Sequence, residues 1–147
     1  MAKIRRATES DLYDYAFLVK QFVREANYPF KMDVELLVGN MKNTLQHPKF
    51  LWLVAEKDEE LVGFLAGCAN SPLFSRDETA VELGWYLQPE HRDGRTAFKL
   101  MAEFEAWAKK AGCRHVTMVD IDTLQDLREI YTRKGYTLTE KSYVKEL

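Results

Sequence analysis

The sequence is poor in residues that staple, break or bias a chain. Its 147 residues include only two cysteines, seven glycines and four prolines. Cys68 and Cys113 stand far apart with no metal-ligand spacing, so the plain reading is two reduced, part-buried thiols rather than a disulfide framework or zinc site. No internal repeat, flexible linker or low-complexity tract interrupts the chain. No apolar run is long enough to span a bilayer, and the opening Met1-Ala2-Lys3-Ile4-Arg5-Arg6 lacks the apolar core of a signal peptide, which predicts a cytoplasmic protein. Neither charge dominates: 21 Lys and Arg against 23 Asp and Glu give a formal net charge of -2. Broad attraction for nucleic acid or an anionic membrane therefore has no source. What remains is a 46% hydrophobic chain of a length that builds one core, a single domain over 1–147.

Periodicity divides the chain into strands and helices. Lys3–Ala7 suits a first strand, and Thr8-Glu9-Ser10-Asp11 supplies capping residues for a helix running to about Glu25, with Leu12, Tyr15, Ala16, Val19, Phe22 and Val23 on one face. After a break at Ala26–Lys31, a second helix follows Asp33 and ends before Pro48, carrying Val34, Leu37, Met41 and Leu45. Phe50–Ala55 and Leu61–Ala69 are β-rich runs joined as a hairpin by Glu56–Glu60, and their near-continuous apolarity predicts burial on both faces. A strand over Thr79–Leu87 places Val81, Leu83, Trp85 and Leu87 on one face and Glu82, Gly84 and Tyr86 on the other. Pro89 stops it. Arg92–Ala97 then leads into an amphipathic helix with the stripe Leu100, Met101, Phe104, Ala108 and Ala111, ending at Gly112. A strand at His115–Val119, a short helix over Leu124–Lys134 and an alternating strand region over Tyr136–Val144 complete the expectation.

The strand-turn-helix unit from Val81 to Gly112 is where chemistry is expected. A helix N-terminus directs unpaired N–H groups and a positive dipole end at an anion. Gly94 permits close backbone approach, and Arg92 and Arg95 add donors suited to a pyrophosphate. An ordinary loop with solvated charges is the alternative reading of the same hexapeptide.

Four segments, in this order and spacing, resemble the GNAT superfamily of N-acetyltransferases, in its compact form. They are Ile4–Asp11, Leu61–Gly67, Glu82–Arg92 and Ile130–Tyr136. The resemblance implies an α/β (α+β) fold: a mixed, mostly antiparallel twisted sheet of about six or seven strands flanked by about four helices. It implies that the strand ending near Leu87 splays from the strand at His115–Val119, with the pantetheine of acetyl-CoA in the gap, paired to backbone around Tyr86, Leu87 and Gln88. The pyrophosphate would lie on Arg92, Asp93, Gly94, Arg95, Thr96 and Ala97. The family's loop usually has its first glycine where this chain has Arg95, with Gly94 one position earlier. Asp93 is at odds with an anion unless its carboxylate faces solvent or caps the following helix.

Acetyl transfer to an amine needs the neutral amine, so a base is required; no metal is. Glu82 interrupts an apolar strand on the side that resembles the reaction groove and is the candidate base; the competing reading is a salt-bridged or wet-face carboxylate. Tyr131 matches the position of the family's proton donor to the departing thiolate; the competing reading is a packed helix residue with one hydroxyl partner. A backbone N–H near Leu87 suits the oxyanion. His91 and His115 read as bystanders, and Trp85, Phe104 and Trp107 as core residues. The acceptor, a small-molecule, peptide or protein amine, is expected between the Asn27–Lys31 and Ser71–Glu78 loops, near Tyr28, Phe30, Phe74 and Asp77. A homodimer is the oligomeric state the resemblance suggests. The competing classes are a non-catalytic interaction protein on the same fold and an acyltransferase with another donor or a nucleic-acid acceptor.

Overall fold

The computed structural model describes residues 2–121 and 124–147. Five strands form one sheet in the order β1-β2-β3-β4-β5: β1 Lys3–Arg6, β2 Phe50–Lys57, β3 Glu60–Asn70, β4 Thr79–Leu87 and β5 His115–Thr117. The first four are antiparallel neighbours and β5 joins β4 in parallel. The helices are α1 Leu12–Glu25, α2 Val34–Thr44, α3 Arg95–Lys110 and α4 Arg128–Arg133. Successive strand residues point to opposite faces, so β2 feeds two cores. Trp52 and Val54 pack with Tyr15, Phe22 and Met41 of α1 and α2. Leu51, Leu53 and Ala55 pack with Leu100, Phe104 and Trp107 of α3. Helices on both faces explain the nearly unbroken apolarity of β2 and β3.

Local chemistry sets the boundaries. Asp11 accepts the Thr8 N–H at 2.7 Å and both Arg5 Nη atoms at 2.7 and 3.0 Å, which ties β1 to the 3-10 turn Glu9–Asp11 that starts α1. Asp33 caps α2 by accepting the Leu36 N–H at 3.0 Å, an N-cap bond. The β2–β3 hairpin closes on Asp58 and Glu59, both with positive φ (51° and 66°), as a two-residue turn matched to the strand twist requires. Gly67 lets α3 approach the sheet: a Cβ there would stand 2.4 Å from Phe104 Cε1.

Several expectations are corrected. The described residues form five strands, fewer than the six or seven expected. The Tyr136–Val144 region is not a strand. Tyr136 is anchored, its N–H on Tyr131 O at 2.9 Å and its hydroxyl on Glu105 Oε1 at 2.9 Å, but Leu138, Tyr143 and Val144 are exposed. Those three fall on both sides of the alternation with Glu140 and Lys141 between them, so they offer no single face to bury. α4 begins at Arg128 rather than Leu124, because the Asp126 carboxylate takes the Arg128 N–H at 3.0 Å and sets the start. Ala111 lies beyond the end of α3 and is exposed, while Trp107 is buried.

The expected alternation of β4 is also broken. Gly84 pairs with Ala66 and Glu82 with Gly67, which leaves Leu83 as the extra residue of a β-bulge. Leu83 is 53% exposed rather than on a buried face. Ala80 joins the α3-side core, whereas Tyr86 joins the α1-side core. Glu82, two residues from Ala80, therefore does not share the face of Gly84 and Tyr86.

Candidate functional site

β4 and β5 are paired only from Thr79–Val81 to His115–Thr117; beyond that register the two strands part. The Gln88 N–H bonds Val62 O at 2.9 Å. Antiparallel ladders alternate, so the backbone groups of Trp85 and Leu87 face away from β3, toward the parting. A cavity of about 200 Å³ opens there. Glu82, Trp85, Tyr86 and Leu87 of β4 form one wall, Ala97 and Phe98 of α3 a second, and Val119, Ile121, Leu124, Gln125, Leu127 and Ile130 a third, with Arg92 and Gly94 at the rim loop.

Glu82 is 5% exposed. Burial pushes its carboxyl up from the ordinary 4.5 to about 8, partly offset by the Val119 N–H that bonds it. No cation pairs with it among the described residues, so neither the salt-bridge nor the wet-face reading describes it. Tyr131, also buried, donates its hydroxyl to Val119 O at 2.6 Å. Burial raises that hydroxyl well above its ordinary range, and the charges of Glu82 and Asp120 add to this. One residue, Val119, thus holds both candidate catalytic groups, the carboxyl through its N–H and the phenol through its carbonyl. Trp85 leans on Tyr131, with ring centroids 6.2 Å apart.

In the loop, Gly94 takes φ 59° immediately before α3, a left-handed turn suited to glycine. The glycine one position early therefore supplies the turn. The Asp93 carboxylate accepts the Thr96 N–H at 2.8 Å, a helix cap that holds it below the usual carboxylate range. Thr96 itself is buried. Arg95 donates its N–H to Asp93 O. Arg92 reaches back: its Nε bonds Leu87 O at 2.9 Å, its Nη2 bonds Glu25 Oε1 at 2.5 Å, and its guanidinium lies 5.5 Å from the Tyr86 ring centre. Tyr86 donates to Glu25 Oε2 at 2.9 Å, and burial pushes its hydroxyl up to about 12. The Gln88 side chain turns to Gln21 at 3.0 Å.

None of the four expected acceptor residues lines this cavity. Tyr28 packs edge-on against Phe22 and beside Phe30, near enough to Glu82 that its charge adds to burial in raising the Tyr28 hydroxyl. Phe30 is largely exposed and Phe74 is 93% exposed. Asp77 stands 3.8 Å from Arg114, at the paired end of β4 and β5. The sequence reading missed the third wall. Its apolar residues at positions 121, 124, 127 and 130 recur every three, a signal of which the expected helix over Leu124–Lys134 absorbed all but the first. His91 and His115 do not line the cavity, and Phe104 and Trp107 are core residues.

A family model described as "Acetyltransferase (GNAT) family" matches residues 12–136. Among curated proteins no sequence matches the chain. Several solved structures share the fold. A transcriptional regulator from Bacillus halodurans C-125 is 19% identical with all of both chains covered, at a TM-score of 0.82. A predicted acetyltransferase with acetyl-CoA from Clostridium acetobutylicum is 16% identical, covering 99% of this chain and 96% of that one, at a TM-score of 0.81. The ribosomal-protein-alanine N-acetyltransferase from Brucella melitensis biovar Abortus 2308 is 18% identical, covering 100% and 99%, at a TM-score of 0.75. No described helix is long and apolar enough to cross a membrane.

Proposed function

Because the chain belongs to the acetyltransferase (GNAT) family, we propose that it is a cytoplasmic, acetyl-CoA-dependent N-acetyltransferase acting on a primary amine by direct attack through a tetrahedral intermediate. The observation that carries this is that Glu82 and Tyr131 both bond Val119, the carboxyl at its N–H and the phenol at its carbonyl, beside a strand whose outward edge at Trp85 and Leu87 can take pantetheine as an added strand. Loss of a proton from the ammonium group of the acceptor to Glu82, directly or through water, leaves a neutral amine. Its lone pair attacks the thioester carbonyl. The oxyanion that forms is bonded by the outward N–H of Leu87. Collapse breaks the C–S bond, the thiolate takes the Tyr131 proton, and the second proton that the new amide nitrogen sheds returns, directly or through water, to the Tyr131 phenolate. The α3 N-terminus and Arg92 serve the pyrophosphate.

The Brucella neighbour acts on a protein amine, which supports screening peptides and proteins beside small amines. The first test is the melting temperature with and without millimolar acetyl-CoA, followed by an amine screen read by thiol release. A melting temperature that does not move, with no coenzyme retained on purification, refutes the donor. The second reading, a non-catalytic protein on this fold, draws on the Bacillus neighbour, a transcriptional regulator. Donor binding without thiol release across the whole screen would favour it. We also propose a homodimer. Light scattering that returns a monomer mass rejects it.

A further inference from the structure

The turn before α3 is already occupied by the chain's own charges. A helix N-terminus binds an anion through amides that have no partner inside the helix. Here the Thr96 amide is taken by Asp93 Oδ1 at 2.8 Å, and the Arg95 amide goes to the Asp93 carbonyl. Thr96 is 1% exposed, and the Asp93 carboxylate already covers its N–H. The bonds from Thr96 keep that carboxyl ionised far below neutral pH. A phosphate approaching the same amides meets a filled donor and a like charge. The Arg92 guanidinium gives limited help, because it is shared between Glu25 Oε1 and Leu87 O.

We infer that Asp93 is an internal competitor of the donor's pyrophosphate, setting a weak and readily exchanged affinity for acyl-CoA, and that the donor binds by displacing this carboxylate from the Thr96 amide. The inference rests on the acetyl-CoA reading above. It assigns to Asp93 a determinant of donor affinity, and it separates the two halves of the donor: the pyrophosphate must compete, and the pantetheine arm, which reaches the β4 edge, need not.

The test is calorimetric titration of coenzyme A and, separately, of pantetheine, into the wild type, Asp93→Ser and Asp93→Asn. Serine and asparagine keep a neutral cap on α3, and melting curves establish that each variant is folded. Removing a like charge at contact range predicts coenzyme A binding about tenfold tighter in both variants, with pantetheine binding unchanged. Coenzyme A affinity equal to or weaker than that of the wild type in both folded variants overturns the competitor role and leaves the donor reading standing. Equal tightening of pantetheine also overturns it, since the effect would not belong to the phosphates. If neither the wild type nor the variants bind millimolar coenzyme A, the donor reading falls and the inference with it.

Discussion

Replacing Glu82 with glutamine keeps the shape and an acceptor for the Val119 N–H while removing the charge. In the wild type, burial moves the carboxyl from 4.5 to about 8. Below the lower value it is neutral whether the chain is folded or not. Between the two, the unfolded chain has released its proton and the folded chain has kept it, so stability falls as pH rises through this window and the loss is complete above about 8. At about 1.36 kcal/mol per tenfold, the gap corresponds to about 5 kcal/mol. Glutamine does not titrate, so the variant lacks this slope. Urea unfolding at pH 5.5, 7 and 8.5 should find the two proteins close at the acid end and the variant increasingly the more stable toward the alkaline end. In kinetics, wild-type kcat/KM should climb with pH and level above about 8 as the base form fills, and the variant should lose roughly 100-fold or more. Stability curves that stay parallel would refute the buried neutral carboxyl, and an unchanged pH–rate profile would remove Glu82 as the base.

Tyr131→Phe should cut turnover at least about tenfold and cost about 1 kcal/mol, because Val119 O loses a 2.6 Å bond; steady-state kinetics beside denaturant melts check both, and wild-type turnover would reduce the residue to packing. Tyr15→Phe should stabilise by about 1 kcal/mol, since the Tyr15 hydroxyl is fully buried with no partner among the described residues; a lower melting temperature contradicts this. Asp11→Asn should destabilise by about 2–3 kcal/mol through the broken pair with Arg5. Arg5 first, then the Thr8 N–H, hold the Asp11 carboxyl below its ordinary 3.8, so its contribution is present above that value and lost as pH falls through the depressed one. Acid titration of wild type and variant should converge below that range.

The readings that held depend on neighbours in the chain. Helices α1, α2 and α3 were visible in three-and-four spacing, and the bounds of β4 match the alternating run Thr79–Leu87, because amphipathic periodicity is written locally. The family was legible for a similar reason: four short motifs in order. The bulge at Leu83 was not, since alternation in one strand cannot register an extra residue that exists only relative to β3. The run Tyr136–Val144 had strand-like composition and no partner strand to pair with among the described residues. The four acceptor residues lie outside the lining of the cavity, a placement that loop membership in the sequence does not fix.

The amino-acid order by itself determined α1, α2, α3 and the strands through β5, the two-sided burial of β2 and β3, and a glycine-bearing turn ahead of α3, because each follows from side-chain periodicity and backbone preference over a few residues. Only the tertiary structure decided that Val119, 37 positions beyond Glu82 and 12 before Tyr131, holds both, and that Asp93 caps α3. Burial, the cause of the raised Glu82 carboxyl, belongs to no residue alone; it arises when β4 parts from β5 and the segment after β5 folds back across the opening.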